Sequence, residues 1–427
     1  MVDGPGEHHG FVWATGMEDT FIVQEAPRRR RLDELELVGH YDTWREDVDR
    51  AAEIGFGAMR CGIPWYRVEP HPNKFDWTWT DEMLHHVVGR GLVPIADLIH
   101  YGTPLWMPNA FADPEYPSRV VAYASAFAQR YASLVRHYTP VNEPAVTALI
   151  CGYAGRWPPH LTGHEGYVRV LDALCRGIVG EVAAIRRARP DAVTVHVEGT
   201  GFWLDADDGD GVTGAAVSER IYIALDLLAG RVGPGHELYA YLRRHGLTDA
   251  DLSWYRGHPF IPDVIGINYY PDGSVHRRVP HGDGNPDAVS SVWGGTAHLA
   301  QAIRDFHGRY GQPIFVSETG CNERSAVWVH WPKPADSGDG SVFRGWWLDE
   351  LSAMLRGLLA EGLPVWGCTW WPLVDAVSWA YRDGTGPVAA YVEPGGLVRL
   401  ASDADGRLSR QPLAVSERLS EVISTWP

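Results

Sequence analysis

Short apolar runs rich in β-branched and aromatic residues recur along the chain at 11–14, 58–63, 93–99, 138–142, 193–197, 264–268, 313–317 and 365–370. Each has the length and composition of a buried strand. Between them lie segments in which apolar residues return every three or four positions, at 44–55, 80–91, 119–137, 165–189 and 296–310. That spacing predicts amphipathic helices, so strands and helices alternate as βαβ units. A further helix is expected over 343–361, where Trp347, Leu351, Met354, Leu355 and Leu358 share one face and Gly362 supplies a C-terminal stop.

Eight such units without an internal linker predict an α/β fold, a single (β/α)8 TIM barrel with long βα loops, with residues 1–427 forming one domain. A doubly wound open sheet would carry a glycine-rich phosphate loop after its first strand, and residues 11–20 contain no G-x-G-x-x-G. The stretches 199–215, 271–295 and 321–342 read as irregular and follow strands five, six and seven, where a barrel places its substrate loops. The tail after Gly395 reads as one turn or hairpin followed by a polar terminus.

Composition narrows the function. With 427 residues, 45% hydrophobic and 21% charged, the chain is neither disordered nor fibrous. A net charge of −17 makes nucleic acid and anionic membranes poor partners. No run approaches 18 apolar residues, and the first residues lack the basic and hydrophobic regions of an export signal. Five scattered cysteines without a C-x-x-C pair read as reduced thiols, so a cytoplasmic location is expected and neither a metal nor an organic cofactor is implied.

The candidate chemistry lies in two carboxylates. The fourth strand ends in Thr139-Pro140-Val141-Asn142-Glu143-Pro144 and the seventh in Ile314-Phe315-Val316-Ser317-Glu318-Thr319-Gly320. Strands four and seven face each other across a barrel mouth, so both glutamates can reach one pocket. A single glutamate at a strand end is more often a salt bridge or a solvated charge. Two of them fit glycoside hydrolysis, in which one carboxyl protonates the leaving oxygen while the other attacks carbon or activates water. Their mutual repulsion helps keep one protonated near neutral pH.

With these residues in view, the chain resembles glycoside hydrolase family 1, the β-glucosidase-like retaining glycosidases, over nearly its whole length. Val141-Asn142-Glu143-Pro144 matches T-x-N-E-P, and Val316-Ser317-Glu318-Thr319-Gly320 matches I/V-T-E-N-G. Arg60-Cys61-Gly62-Ile63-Pro64-Trp65 is similar to Y-R-x-S-I-x-W, and Leu98-Ile99-His100-Tyr101 to L-x-H-W. The run from Asp263 through Asn268 to Tyr269-Tyr270 is similar to D-F-x-G-x-N-Y-Y, and Trp371-Pro372-Leu373-Val374-Asp375 to W-S-L-L-D.

The resemblance implies that Glu318 is the nucleophile and Glu143 the acid/base, with Arg60 and Tyr270 donating to Glu318. It implies a substrate-binding set of Asn142 on the 2-hydroxyl, His100 on a ring hydroxyl, Asn268 from the N-Y-Y segment, and Trp371 as the apolar floor. A small-molecule glycoside or oligosaccharide would be the ligand.

Two departures concern specificity. The first strand lacks the family's glutamine; Glu18 or Asp19 is expected in its place. Where the family has F-E-W, whose glutamate grips the 4- and 6-hydroxyls, this chain has Val377-Ser378-Trp379. Serine there resembles the 6-phospho-glycosidase branch, but Tyr381-Arg382-Asp383 lacks that branch's Lys-x-Tyr clamp. Of the 19 tryptophans, Trp65, Trp106, Trp157, Trp203, Trp293, Trp328 and Trp331 stand at or after strand ends, and indoles stack well on sugar faces. Trp328 and Trp331 are the expected aglycone contacts.

Overall fold

A computed structural model describes residues 10–203, 219–278, 289–322, 324–325, 340–403 and 408–426. Eight parallel strands close into a barrel: β1 Val12–Met17, β2 Ala58–Gly62, β3 Val93–Asp97, β4 His137–Thr139, β5 Val193–Gly199, β6 Val264–Asn268, β7 Ile314–Thr319 and β8 Val365–Trp370. β1 pairs with both β2 and β8, which closes the ring. The architecture is therefore the expected (β/α)8 barrel, and all eight apolar runs supply its strands.

Alternation along each strand divides the core. Val193, Val195 and Val197 join Val12, Ala14, Ile95, Val264, Phe315 and Trp366 in a cluster within the barrel. The outward positions pack beneath the helices: α1 His40–Ile54, α2 Thr78–Gly89, α3 Tyr116–Arg130, α4 Gly163–Ala188, α5 Asp249–Gly257, α6 Gly295–Tyr310 and α7 Ser341–Ala360. Four of the five residues expected to form the apolar face of α7, Trp347, Leu351, Leu355 and Leu358, are buried, and Gly362 has φ +84° just beyond its end. Such a left-handed residue suits glycine.

Three local expectations are corrected. α3 stops at Arg130 rather than continuing to 137, because the chain must turn to start β4; the Arg189 side chain donates to the freed carbonyls of Ala132 and Val135 at 2.6 and 2.9 Å. The 271–295 stretch contains the antiparallel strands Val275–Arg278 and Val289–Val292, which join Phe202–Trp203 in a small sheet. The tail forms the hairpin β9 Val398–Ser402 and β10 Leu408–Pro412, but the residues beyond it make a helix, α8 Ala414–Ser424, not a polar terminus.

α8 buries Val415 and Leu419 against α7 and α1, and Trp426 packs on Phe11 and Trp13 at 4.6 and 5.0 Å. It occupies the eighth helix position of the barrel. Asp375 ties this tail to β8 by accepting from the N–H groups of Gly395, Gly396 and Leu400 at 3.0–3.1 Å. No helix among the described residues is long and apolar enough to cross a membrane.

Candidate active site

Because all eight strands run the same way, their C-terminal ends open on one mouth. The segment after β4 keeps near-strand register, with Asn142 N–H donating to Ile99 O at 2.8 Å and Glu143 N–H to Val197 O at 3.0 Å. Glu143 then adopts the left-handed region, φ 47° and ψ 62°, immediately before Pro144 opens the short helix Pro144–Ala148. A non-glycine residue there is held against its preference by its surroundings. The neighbouring strand end makes room with Gly199, where a Cβ would stand 2.7 Å from Glu143 Oε1.

The side chain of Glu143 is held by two neutral donors. Asn268 Nδ2 donates to Oε1 at 2.9 Å, and the Tyr101 hydroxyl donates to Oε2. The Asn268 amide is oriented in turn by Ser317, whose hydroxyl donates to its Oδ1 at 2.7 Å. Burial first, and the charge of Glu318 second, push the Glu143 carboxyl up to about 7. Donors that favour the charged form limit the rise.

Glu318 sits on β7 at a register shift relative to β6 and β8. Its Oε1 accepts from Arg60 Nη1 at 2.7 Å and its Oε2 from the Tyr270 hydroxyl at 2.7 Å. Arg60, fully buried, also meets Glu18 Oε1 at 2.7 Å, Asp97 Oδ2 at 2.8 Å and Asn142 Oδ1 at 3.1 Å. One guanidinium thus serves three carboxylates. Burial opposes its charge, but Glu18, Glu318 and Asp97 raise its affinity for the proton above the usual arginine value.

The residues expected at the site converge with two exceptions. Asn142 lies between Arg60 and His100: its Oδ1 accepts from Arg60, so its Nδ2 donates to His100 Nε2 at 3.3 Å, leaving Nδ1 to donate to Asp97 at 3.1 Å. Trp371 is half-buried beside Tyr270, ring centroids 5.8 Å apart, and donates to Glu18 O at 3.3 Å. Trp379 donates to Thr20 Oγ1 at 3.0 Å and meets Tyr101 and Trp157 edge-on at 5.6 and 4.8 Å.

The exceptions are Glu18 and Ser378. Glu18, expected to take outer sugar hydroxyls, is instead fully buried against Arg60, the cation that it shares with Asp97 and Glu318 and that keeps its charge from standing unpaired in the core. Ser378 turns its hydroxyl back to accept from Ala380 N–H at 3.4 Å, capping the short helix Trp379–Asp383.

Two participants have no counterpart among the expected site residues. Tyr101 follows His100 as an ordinary aromatic, and only its φ of +66° brings the phenol onto Glu143. Asp97 lies within an apolar strand, and the one available signal was a charge among Ile95, Ala96 and Leu98. Trp157, one of the tryptophans expected after strand ends, stands in the loop after β4, against Tyr101 at 5.3 Å.

Other tryptophans serve packing: Trp65 stacks on Tyr123 at 5.1 Å, Trp106 donates to Glu69 O at 2.7 Å, and Trp293 stacks on Trp346 at 5.4 Å. Trp328 and Trp331 lie outside the described residues, as does the side chain of Trp203. Among the described residues no group of three or more His, Cys, Asp or Glu side chains is arranged to hold a metal ion.

Comparison with known proteins agrees with this frame. Residues 15–189 match the family model for glycosyl hydrolase family 1, a stretch that includes Arg60, His100, Asn142 and Glu143. The phospho-cellobiase of Klebsiella oxytoca is 22% identical over 392 residues, covering 84% of this chain and 80% of its own. β-Glucosidase A of Thermotoga maritima is 21% identical, covering 80% and 79%. The solved Thermotoga maritima β-glucosidase in complex with deoxynojirimycin superposes with a TM-score of 0.77 over 99% of both chains at 17% identity.

Proposed function

The chain is a divergent member of glycosyl hydrolase family 1, and from that premise we propose that it is a retaining β-glycosidase, an O-glycosyl hydrolase acting through a covalent glycosyl intermediate on Glu318 with Glu143 as acid/base. The observation that carries the reading is the unlike treatment of two buried glutamates. Glu318 is held by a cation and a phenol, whereas Glu143 has only neutral donors and is pushed up to about 7.

In the first step Glu318 attacks the anomeric carbon while the Glu143 proton passes to the departing oxygen. In the second, ionised Glu143 takes a proton from water, or from an alcohol acceptor, whose oxygen bonds to the anomeric carbon as the glycosyl–Glu318 bond breaks. Asn142 and His100 are the proposed hydroxyl contacts, Asn268 orients Glu143, and Trp371 and Trp379 form apolar walls.

Relatives named for phosphorylated substrates include a phospho-cellobiase, a 6-phospho-β-glucosidase and aryl-phospho-β-D-glucosidases, which keeps a 6-phospho-β-glycosidase as the second reading. Against it, the Lys-x-Tyr clamp is missing, and Arg382 of the segment in its place is buried and donates to the backbone carbonyls of Ile22, Arg30 and Gln24. Five free, buried cysteines support a cytoplasmic enzyme.

Turnover of 4-nitrophenyl β-glycosides by wild type and Glu143→Gln tests the assignment, with proton NMR of the first product. The retained anomer is expected. An initially inverted anomer overturns the nucleophile role of Glu318, and unchanged hydrolysis of unactivated glycosides by Glu143→Gln overturns the acid role of Glu143.

A further inference from the structure

We propose that the pocket takes a sugar bearing a primary ammonium group, and that Asp19 is the carboxylate that meets it. This rests on the β-glycosidase reading and names its substrate class.

The segment after β1 forms one wall of the mouth. Trp371 donates to Glu18 O at 3.3 Å, Trp379 to Thr20 Oγ1 at 3.0 Å, and Phe21 N–H to His100 O at 3.3 Å, so residues 18–21 are laced between the ends of β8 and β3. Asp19 lies in the middle of this wall. It is 5% exposed, its Oδ1 is buried without a hydrogen-bond partner, and it makes no ion pair among the described residues.

Each neighbouring carboxyl has its own partner. Glu18, Asp97 and Glu318 share Arg60; Glu34 Oε2 accepts from Thr20 N–H at 3.1 Å; Asp33 has Arg31 at 3.6 Å and the Tyr41 hydroxyl at 3.0 Å. Glu18 and Asp97 also keep buried oxygens without a hydrogen-bond partner, but both have the charge of Arg60 beside them; Asp19 alone in this group has neither a cation nor a hydrogen-bond donor among the described residues, and a buried carboxylate without either is costly.

Burial, and then the charges of Glu34, Glu18, Glu318 and Asp33, hold the Asp19 carboxyl well above the usual aspartate range. A cation reverses every one of those charge effects. An ammonium also brings three N–H donors, enough for Asp19 and one further acceptor, where a hydroxyl brings one. A phosphate would add charge of the wrong sign. Ser378, spent on a helix cap, supplies no acid from the β8 side, so the acidic contact comes from the β1 side instead.

The test compares kcat/KM of the full chain for 4-nitrophenyl β-glucoside, its 2-, 3-, 4- and 6-amino-deoxy counterparts, and its 6-phosphate. One amino isomer should exceed the glucoside by at least about tenfold, the worth of one charge-assisted hydrogen bond. In Asp19→Asn that ratio should collapse toward one. A ratio taken within one preparation cancels the active fraction, so a partly folded variant still reports.

Calorimetric binding of methyl β-amino-deoxyglycosides and methyl β-glucoside to wild type and Asp19→Asn gives the same ratio without turnover. Preference for the neutral or phosphorylated sugar, or an amine preference that survives Asp19→Asn, overturns the assignment of Asp19. Absence of any Glu318-dependent turnover overturns the glycosidase reading instead, and the binding ratio still decides Asp19.

Discussion

The phenol of Tyr101 donates to one oxygen of Glu143 while Asn268 donates to the other, so the proposed acid is gripped by two groups that carry no charge. Both bonds favour the carboxylate and work against burial and Glu318, leaving Glu143 near pH 7. Activity on glycosides that need protonation should therefore fall as pH rises through about 7. Tyr101→Phe removes one stabiliser of the charged form and should move that alkaline limb upward. A kcat/KM profile measures it; a downward shift, or none, would show that Tyr101 does not hold the acid.

Removing the two glutamates should harm different substrates. Glu318→Gly should abolish turnover of every glycoside until a small anion such as azide is supplied to attack in its place. Glu143→Ala should slow poor leaving groups by about 10²–10⁴-fold while sparing the glycosylation step for dinitrophenyl glycosides, which need little proton donation. Single-turnover kinetics with the two leaving groups separates these effects, and equal losses on both would refute the division.

Among the described residues Arg60 is the one arginine or lysine that meets Glu18, Asp97 and Glu318, and it is buried completely. Arg60→Met should destabilise the protein by about 3–5 kcal/mol, because Glu18, Asp97 and Glu318 lose their shared partner together. Arg60→Lys keeps the charge but cannot reach Glu318 and Asp97 with separate nitrogens, so it should keep more stability than activity. Thermal melts beside kcat/KM check this, and a Lys variant with full activity would show that the fork is dispensable.

Elements buried on both sides were readable because their pattern has one explanation: runs such as Val193–Gly199 become barrel strands, and Glu143 and Glu318 follow from strand position. What escaped depends on long-range partners. Asp97 gains meaning only once Arg60 and His100 are seen beside it, and Tyr101 only from its left-handed backbone. For Glu18, the sequence shows a charge near the pocket but not which cation claims it. The helix Ala414–Ser424 is different: Val415 and Leu419 carry a helical spacing that is legible in the sequence despite the polar residues between them.

The tail should report on acid stability. Asp47 on α1 accepts from His40 Nδ1 at 2.7 Å and from Arg410 of β10, with Nη2 at 2.8 Å. Burial alone would raise its carboxyl, but these hydrogen bonds and charges outweigh it and lower it below the ordinary aspartate value. A depressed native value means the contribution is complete above the unfolded value of about 3.9 and is lost as pH falls through the native one. Arg410→Ala should cost about 3–5 kcal/mol at neutral pH and flatten that acid limb. Urea unfolding at several pH values tests it; a parallel offset at all pH values would assign the loss to packing.

Ser378 and Asp19 should influence each other across the pocket. Restoring the family's glutamate by Ser378→Glu adds a carboxyl next to Trp379, which is bonded to Thr20, while Asp19 still lacks a cation. The new acid would grip the outer hydroxyls of glucose but meet like charge across the pocket, so the single change should gain little on 4-nitrophenyl β-glucoside. Removing the opposing charge with Asp19→Asn should release the gain, making the two substitutions non-additive. Sites joined through one network, here by the Trp379–Thr20 hydrogen bond, couple by about 0.5–3 kcal/mol. A double-mutant cycle on kcat/KM gives the coupling directly. Full gain from Ser378→Glu alone, with Asp19→Asn adding independently, would mean that the two walls do not face the same sugar.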